Sequence, residues 1–214
     1  LSQERRQGRE IGGDSKEAAF IIAHPDVRRM LLFMRSHIEA MRNLVVYNAV
    51  ALDLSRALDG EEAEAWAEIA ELLTPITKAW CTDVGVEVTS TAVQVFGGMG
   101  YIEESGVAQH YRDMRIAPIY EGTNGIQAMD LVGRKLGGGG GTLFIQWMND
   151  ANGELERAAA AGFQSAAEAL GKAVQHLAGS AMHLAGLGKA RRIEGAMLQA
   201  TPFTRMFGLV LLGL

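Results

Sequence analysis

Three observations predict that this 214-residue chain is all-α. Apolar residues recur at helical spacing over runs of about thirty residues. No stretch sustains the period of two that a half-buried strand needs. The strongest breaks, at Asp59-Gly60, Gly97-Gly98 and Gly137 to Gly141, fall between the periodic runs.

Residues 1–23 are polar and contain Gly8, Gly12 and Gly13, so they read as a helix tail followed by a loop. His24-Pro25 opens the first long helix, because proline tolerates the first helical turn. Val27, Met30, Leu31, Met34, Ile38, Met41, Leu44, Val45 and Val50 carry the pattern to about Leu58. At roughly 1.5 Å per residue the helix spans on the order of 50 Å. A second runs from about Glu61 to Phe96 on Trp66, Ile69, Leu73, Ile76, Trp80, Val84 and Val88, with a kink or short break expected at Pro75. The tight connection makes the two helices an antiparallel hairpin. Residues 97–106 read as a loop and 107–116 as a short helix that Pro118 stops. Thr123 can cap a further helix to about Leu136. The five glycines from Gly137 to Gly141 read as a linker and boundary. Ala-rich helical patterns follow near 142–161, 163–187 and 190–200, and Pro202 restarts a last helix.

Hydrophobic residues make up 48% of the chain, enough for one sizeable core or two small ones. The net charge is −5 and no cluster of five basic residues occurs, which argues against a nucleic-acid surface. Cys81 is the single cysteine, which excludes an internal disulfide, fits a reducing, cytoplasmic compartment and gives no metal pattern. No signal peptide and no run of about 18 apolar residues is visible, so no membrane span is expected. The start on Leu1 and the apolar end from Phe207 to Leu214 are expected of a piece of something longer.

Two stretches could carry chemistry. Gly97-Gly98-Met99-Gly100 could bring backbone N–H groups to a phosphate, or could simply end a helix with left-handed glycines. Gln94 lies one turn earlier, within reach of the same ligand. Glu121 follows Pro118-Ile119-Tyr120 and precedes Gly122-Thr123. Apolar neighbours would raise its pKa toward that of a general base, whereas a helix N-terminus would stabilise the anion. The plain alternative is an acidic first-turn residue answering the helix dipole. His176 and His183 share a helix face without a carboxylate partner, and Arg112-Asp113 reads first as an ion pair near the approach to Glu121.

Taken together, Gln94-Val95-Phe96-Gly97-Gly98-Met99-Gly100-Tyr101, Arg112-Asp113, Ile119-Tyr120-Glu121-Gly122-Thr123 and Ile126-Gln127 resemble the C-terminal helical domain of acyl-CoA dehydrogenases over about residues 1–136. The resemblance implies a four-helix up-and-down bundle (residues 1–136) followed by an additional helical segment (142–214). It also implies FAD, an acyl-CoA substrate, α,β-dehydrogenation, a homo-oligomer (dimer or tetramer) and electron-transfer flavoprotein as acceptor. Glu121 resembles the base that removes the α-proton, with its own N–H on the thioester carbonyl. Tyr120 and Gly122 would line the acyl and flavin side of the pocket, and Thr123 would contact FAD. Gln94, Gly97 and Gly98 resemble the turn that meets the ADP half of a FAD held mainly by a neighbouring subunit, and Arg5 resembles the arginine on its pyrophosphate. Gln7-Gly8 departs from the Thr-Phe common after that arginine, and Gly125 stands where Gln or Glu is common. His24 to Leu31 and the extension resemble the long subgroup that contains 3-methylmercaptopropionyl-CoA dehydrogenases. Two other readings are an acyl-CoA oxidase and a non-catalytic helical oligomerisation module.

Overall fold

A computed structural model describes residues 1–214. It is all-α, with nine α-helices and no strand beyond one isolated bridge between Arg6 and Phe20. The helices are α1 (Pro25–Ala57), α2 (Gly60–Phe96), α3 (Gly98–Tyr101), α4 (Val107–Met114), α5 (Asn124–Asp130), α6 (Thr142–Ala160), α7 (Gln164–Lys189), α8 (Ile193–Leu198) and α9 (Ala200–Gly213). No helix is long and apolar enough to cross a membrane. The chain forms two compact units: Leu1–Glu39 with Val84–Ala117, and Ala40–Asp83 with Pro118–Leu214.

In the first unit the N-terminal segment folds back on itself; the expected helix tail is absent. Gln7 N–H donates to Ala19 O at 2.9 Å, Ala19 N–H to Gly8 O at 2.9 Å and Ile21 N–H to Arg5 O at 2.9 Å. The Arg6 guanidinium lies 4.0 Å above the Phe20 ring, a cation–π contact that reinforces the pairing. Ile21, Met30, Val84, Val88 and Val95 supply the unit's apolar core. Helix α4 comes so close to α2 that a Cβ on Gly85 would meet Met114 Cε at 2.6 Å. Residues 97–106, expected as loop, contain α3 and a 3-10 turn at Glu103–Ser105.

In the second unit the hairpin forms as expected. Tyr47 meets Trp66 edge-on at 6.4 Å, and Asn48 Nδ2 donates to Thr77 Oγ1 at 3.2 Å. Helix α2 continues through Pro75, so the short break, one of the two outcomes expected there, does not occur. The ring removes one N–H from the ladder and costs about 3 kcal/mol in an ordinary helix interior. Here it is fully buried beside Leu72, Leu73 and Ile76, and that burial offsets the loss. Gly137 to Gly141 are a compact turn, not an extended linker: Gly139, Gly140 and Gly141 all have positive φ (57°, 75°, 93°), which glycine alone adopts freely.

Helix α9 is the core of this unit. Its Phe207 is fully buried against Trp147 (4.5 Å between ring centroids), Phe144 (5.8 Å) and Phe203 (6.1 Å). Gly208 lies flat on the Trp80 ring, where a Cβ would fall 2.2 Å from the indole Cγ. Gly213 lies on Leu170 in the same way, at 2.8 Å. Small residues thus let α9 approach α2 on one side and α7 on the other.

Candidate active site

The segment from Pro118 to Thr123 is fastened at both ends. Asn124 N–H donates to Pro118 O at 3.1 Å and closes it. The Thr123 hydroxyl caps α5 by accepting from Ile126 N–H at 3.4 Å. Between them Glu121 holds φ at +53°, one of two non-glycine residues in the left-handed region, the other being Arg191. Gly122 follows at φ +80°. A left-handed carboxylate residue costs on the order of 1 kcal/mol or more, and such strain collects at functional sites. The Glu121 N–H donates to no backbone carbonyl.

Glu121 is exposed, as are Ile119 (48%) and Tyr120 (51%). The apolar neighbours expected to desolvate the carboxylate flank it in sequence but do not enclose it within this chain. Lys78 on α2 feels the charges of both Asp83 and Glu121. Burial lowers the Lys78 pKa, and those two carboxylates oppose the shift.

The glycine turn separates into residues with different jobs. Gly97 has φ +63° and ψ −146°, a region essentially closed to other residues. A Cβ there would lie 3.2 Å from Arg5 Nη1. Gly98 faces open space. Gly100 is buried, and a Cβ would strike Val93 O at 2.5 Å, so its smallness serves packing. Gln94 is exposed and its carbonyl accepts from Gly97 N–H at 3.1 Å.

Arg5 Nη1 donates to Phe96 O at 2.9 Å and Nη2 to Gln7 Oε1 at 2.9 Å. The guanidinium therefore caps the C-terminus of α2, a favourable place for a cation. Phe96 O and Gln7 together hold it through two of its five N–H donors. A cation with spare donors beside an open glycine backbone fits the pyrophosphate of a dinucleotide. Arg112 pairs with Glu103, not with Asp113. His176 and His183 line a hollow with Arg192 and Met206 that contains no carboxylate.

One residue that composition and spacing did not single out is central to the acidic loop. Asn124 is buried, and its side chain engages Lys78, Ala79, Thr82 and Asp83 of α2. Its only sequence signal is its place directly after the capping Thr123.

The fold and these features define an all-α domain that presents a strained acidic loop and an arginine-backed glycine turn. The sequence model of the acyl-CoA dehydrogenase C-terminal domain matches residues 13–136. The chain belongs to the acyl-CoA dehydrogenase family and carries its C-terminal domain. It is 44% identical to a 3-methylmercaptopropionyl-CoA dehydrogenase of Ruegeria pomeroyi, covering 97% of this chain and 35% of that protein. It is 36% identical to a butyryl-CoA dehydrogenase of Syntrophomonas wolfei subsp. wolfei, covering 69% of this chain and 24% of that protein. The crystal structure of Caenorhabditis elegans ACDH-11 in complex with C11-CoA shares the fold, with a TM-score of 0.74 at 22% identity over 98% of this chain and 34% of that one. The chain thus spans between 24% and 35% of the length of these proteins.

Proposed function

We propose that the protein containing this chain is an FAD-dependent acyl-CoA dehydrogenase in which Glu121 is the base. The observation that carries this reading is the left-handed Glu121, held between Tyr120 and Gly122 in a loop closed by Asn124. The α-hydrogen leaves as a proton to a Glu121 carboxylate oxygen. The β-hydrogen leaves as hydride, and accepting it is the chemistry that FAD supplies when bound. The product is an α,β-unsaturated thioester. The uncommitted Glu121 N–H would donate to the thioester carbonyl and stabilise charge that develops as the proton departs. Tyr120 and Gly122 would line the acyl and flavin side. The Thr123 hydroxyl spends an acceptor lone pair on Ile126 N–H, which leaves its own hydrogen for the cofactor.

Arg5, Gln94, Gly97 and Gly98 would hold the pyrophosphate and ADP half of a FAD belonging mainly to a neighbouring subunit. That arrangement needs a homo-oligomer, a dimer or tetramer. Exposed Val45 (49%), Val46 (60%) and Val50 (43%) on α1 are suited to such an interface. Surface from the enzyme beyond this chain would cover Glu121 and supply the desolvation a base needs near neutral pH. Electrons would then pass to electron-transfer flavoprotein in the cytoplasm. The bundle would be residues 1–136 and the extension 142–214, a division supported by the end of the family match at residue 136.

Glu121→Gln in the full-length protein tests the reading. Flavin content should stay near that of the unaltered enzyme while turnover falls by roughly a thousandfold, within the range a general base contributes. Retention of near-normal turnover would remove Glu121 from the mechanism.

A further inference from the structure

We propose that Asn124 is a positioning residue for the reaction, fixing the loop that carries Glu121 to α2 through Lys78, Ala79 and Asp83. This rests on the reading of Glu121 as the base. Asn124 Oδ1 accepts from Lys78 Nζ at 2.7 Å. Asn124 Nδ2 lies 2.7 Å from Asp83 Oδ1, 3.0 Å from Ala79 O and 2.9 Å from Thr82 Oγ1. Thr82 Oγ1 gives its hydrogen to Lys78 O at 2.7 Å and lies beside both amide atoms, so the two amide hydrogens serve Asp83 and Ala79, with Thr82 at most sharing one of them.

These partners admit one orientation of the amide. Lys78 can only donate, so an oxygen must face it. Ala79 O can only accept, and the Asp83 carboxylate accepts as well, so a nitrogen must face them. No other small side chain offers an acceptor on one side and two hydrogens on the other. Meanwhile the Asn124 backbone N–H holds Pro118 O. One residue therefore ties the end of the loop to its beginning and its side chain to α2.

A simple helix start does not need this. Thr123 already supplies the cap of α5. What the extra bonds secure is the stretch between, where Glu121 and Gly122 hold positive φ. A strained carboxylate residue relaxes unless its surroundings over-determine it. The same cluster places the Lys78 ammonium where it interacts with Glu121. The register of the loop that carries Glu121 is thus set by one buried amide.

The test uses the full-length flavoprotein, with butyryl-CoA and 3-methylmercaptopropionyl-CoA as probes. Asn124→Asp keeps the shape but turns an oxygen toward Asp83 and Ala79 O. FAD content and KM should stay within about threefold while kcat and the rate of α-deuteron exchange fall at least tenfold, because a misplacement of about 1 Å costs up to ~100-fold. Adding Asp83→Asn restores a donor opposite the new carboxylate and should recover part of the lost kcat. An unchanged kcat in Asn124→Asp overturns the proposal. So does a parallel loss of FAD, KM and kcat that the second substitution does not repair, since that is a merely structural role. If Asn124→Asp fails to fold, Lys78→Met decides: it removes the donor to Oδ1 without adding repulsion. The same split between KM and kcat supports the proposal, and an unchanged kcat overturns it. Glu121→Gln run alongside separates the failures. If it keeps turnover, the reading of the base falls; if it is inactive while Asn124→Asp is normal, only the positioning role falls.

Discussion

Glu121 illustrates what a single residue reveals and hides in sequence. Its apolar neighbours Ile119 and Tyr120 are visible in the string, and so is the Gly122-Thr123 that follows. Its left-handed backbone is not, because nothing local forces a glutamate there; the closure by Asn124 does, and that depends on a helix more than forty positions earlier. Gly97 is the opposite case. Three glycines together suggest a single purpose, yet one is required by φ, one is open and one is required by packing. Gly97→Ala in the full-length protein should strain the turn by about 1–3 kcal/mol and push against Arg5. The FAD:protein ratio after desalting should fall, and an unchanged ratio would remove this turn from the cofactor site. Cys81 carries a second prediction. Burial pushes its thiol up to about 12, so the folded protein holds it neutral and unreactive at about pH 8. Alkylation should be slow until the chain is unfolded. The sign of the linkage follows: the unfolded thiol ionises first, so stability falls as pH rises from about 9 toward 12. Tyr47, whose pKa is raised by burial and then by Asp150 and Glu154, acts in the same direction. Cys81→Ala should therefore flatten the alkaline loss in a denaturation series without abolishing it.

At the scale of elements, the long helices were legible because their apolar spacing persists for about ten turns. The two ends of α1 and α2 fall within a residue or so of the expected positions. What the string misjudged were sites where tertiary burial overrides a local rule. Pro75 is a breaker by propensity, but its buried ring keeps α2 whole. The five glycines look like a tether, but their positive φ values fold them into a turn that leads directly into α6. The N-terminal segment looks like a helix tail, but Gln7, Ala19 and Ile21 pair it with itself. Gly208 tests the packing of α9 on α2. Gly208→Ala gains helix propensity, yet its Cβ would lie 2.2 to 2.5 Å from the Trp80 ring. Overpacking of this kind costs about 1–3 kcal/mol, so the thermal midpoint should drop by several degrees. A midpoint that rises would mean that α9 does not rest on Trp80.

For the whole molecule, residues 142–214 share the second unit with Ala40–Asp83 and the segment from Pro118 onward. Phe207 and Gly208 bury themselves among residues of α2, α6 and α9 in the second unit, and Gly213 reaches α7. The helical patterns of 142–214 are visible in the sequence but the core they share is not, since no local pattern says which apolar faces meet. The proposed chemistry assigns removal of the α-proton to Glu121. It is tested most directly by a single anaerobic turnover of the full-length flavoprotein with excess acyl-CoA, compared with Glu121→Gln. The yellow flavin absorbance should bleach in the unaltered enzyme and persist in Glu121→Gln even though the acyl-CoA binds. Bleaching of both at similar rates would contradict it.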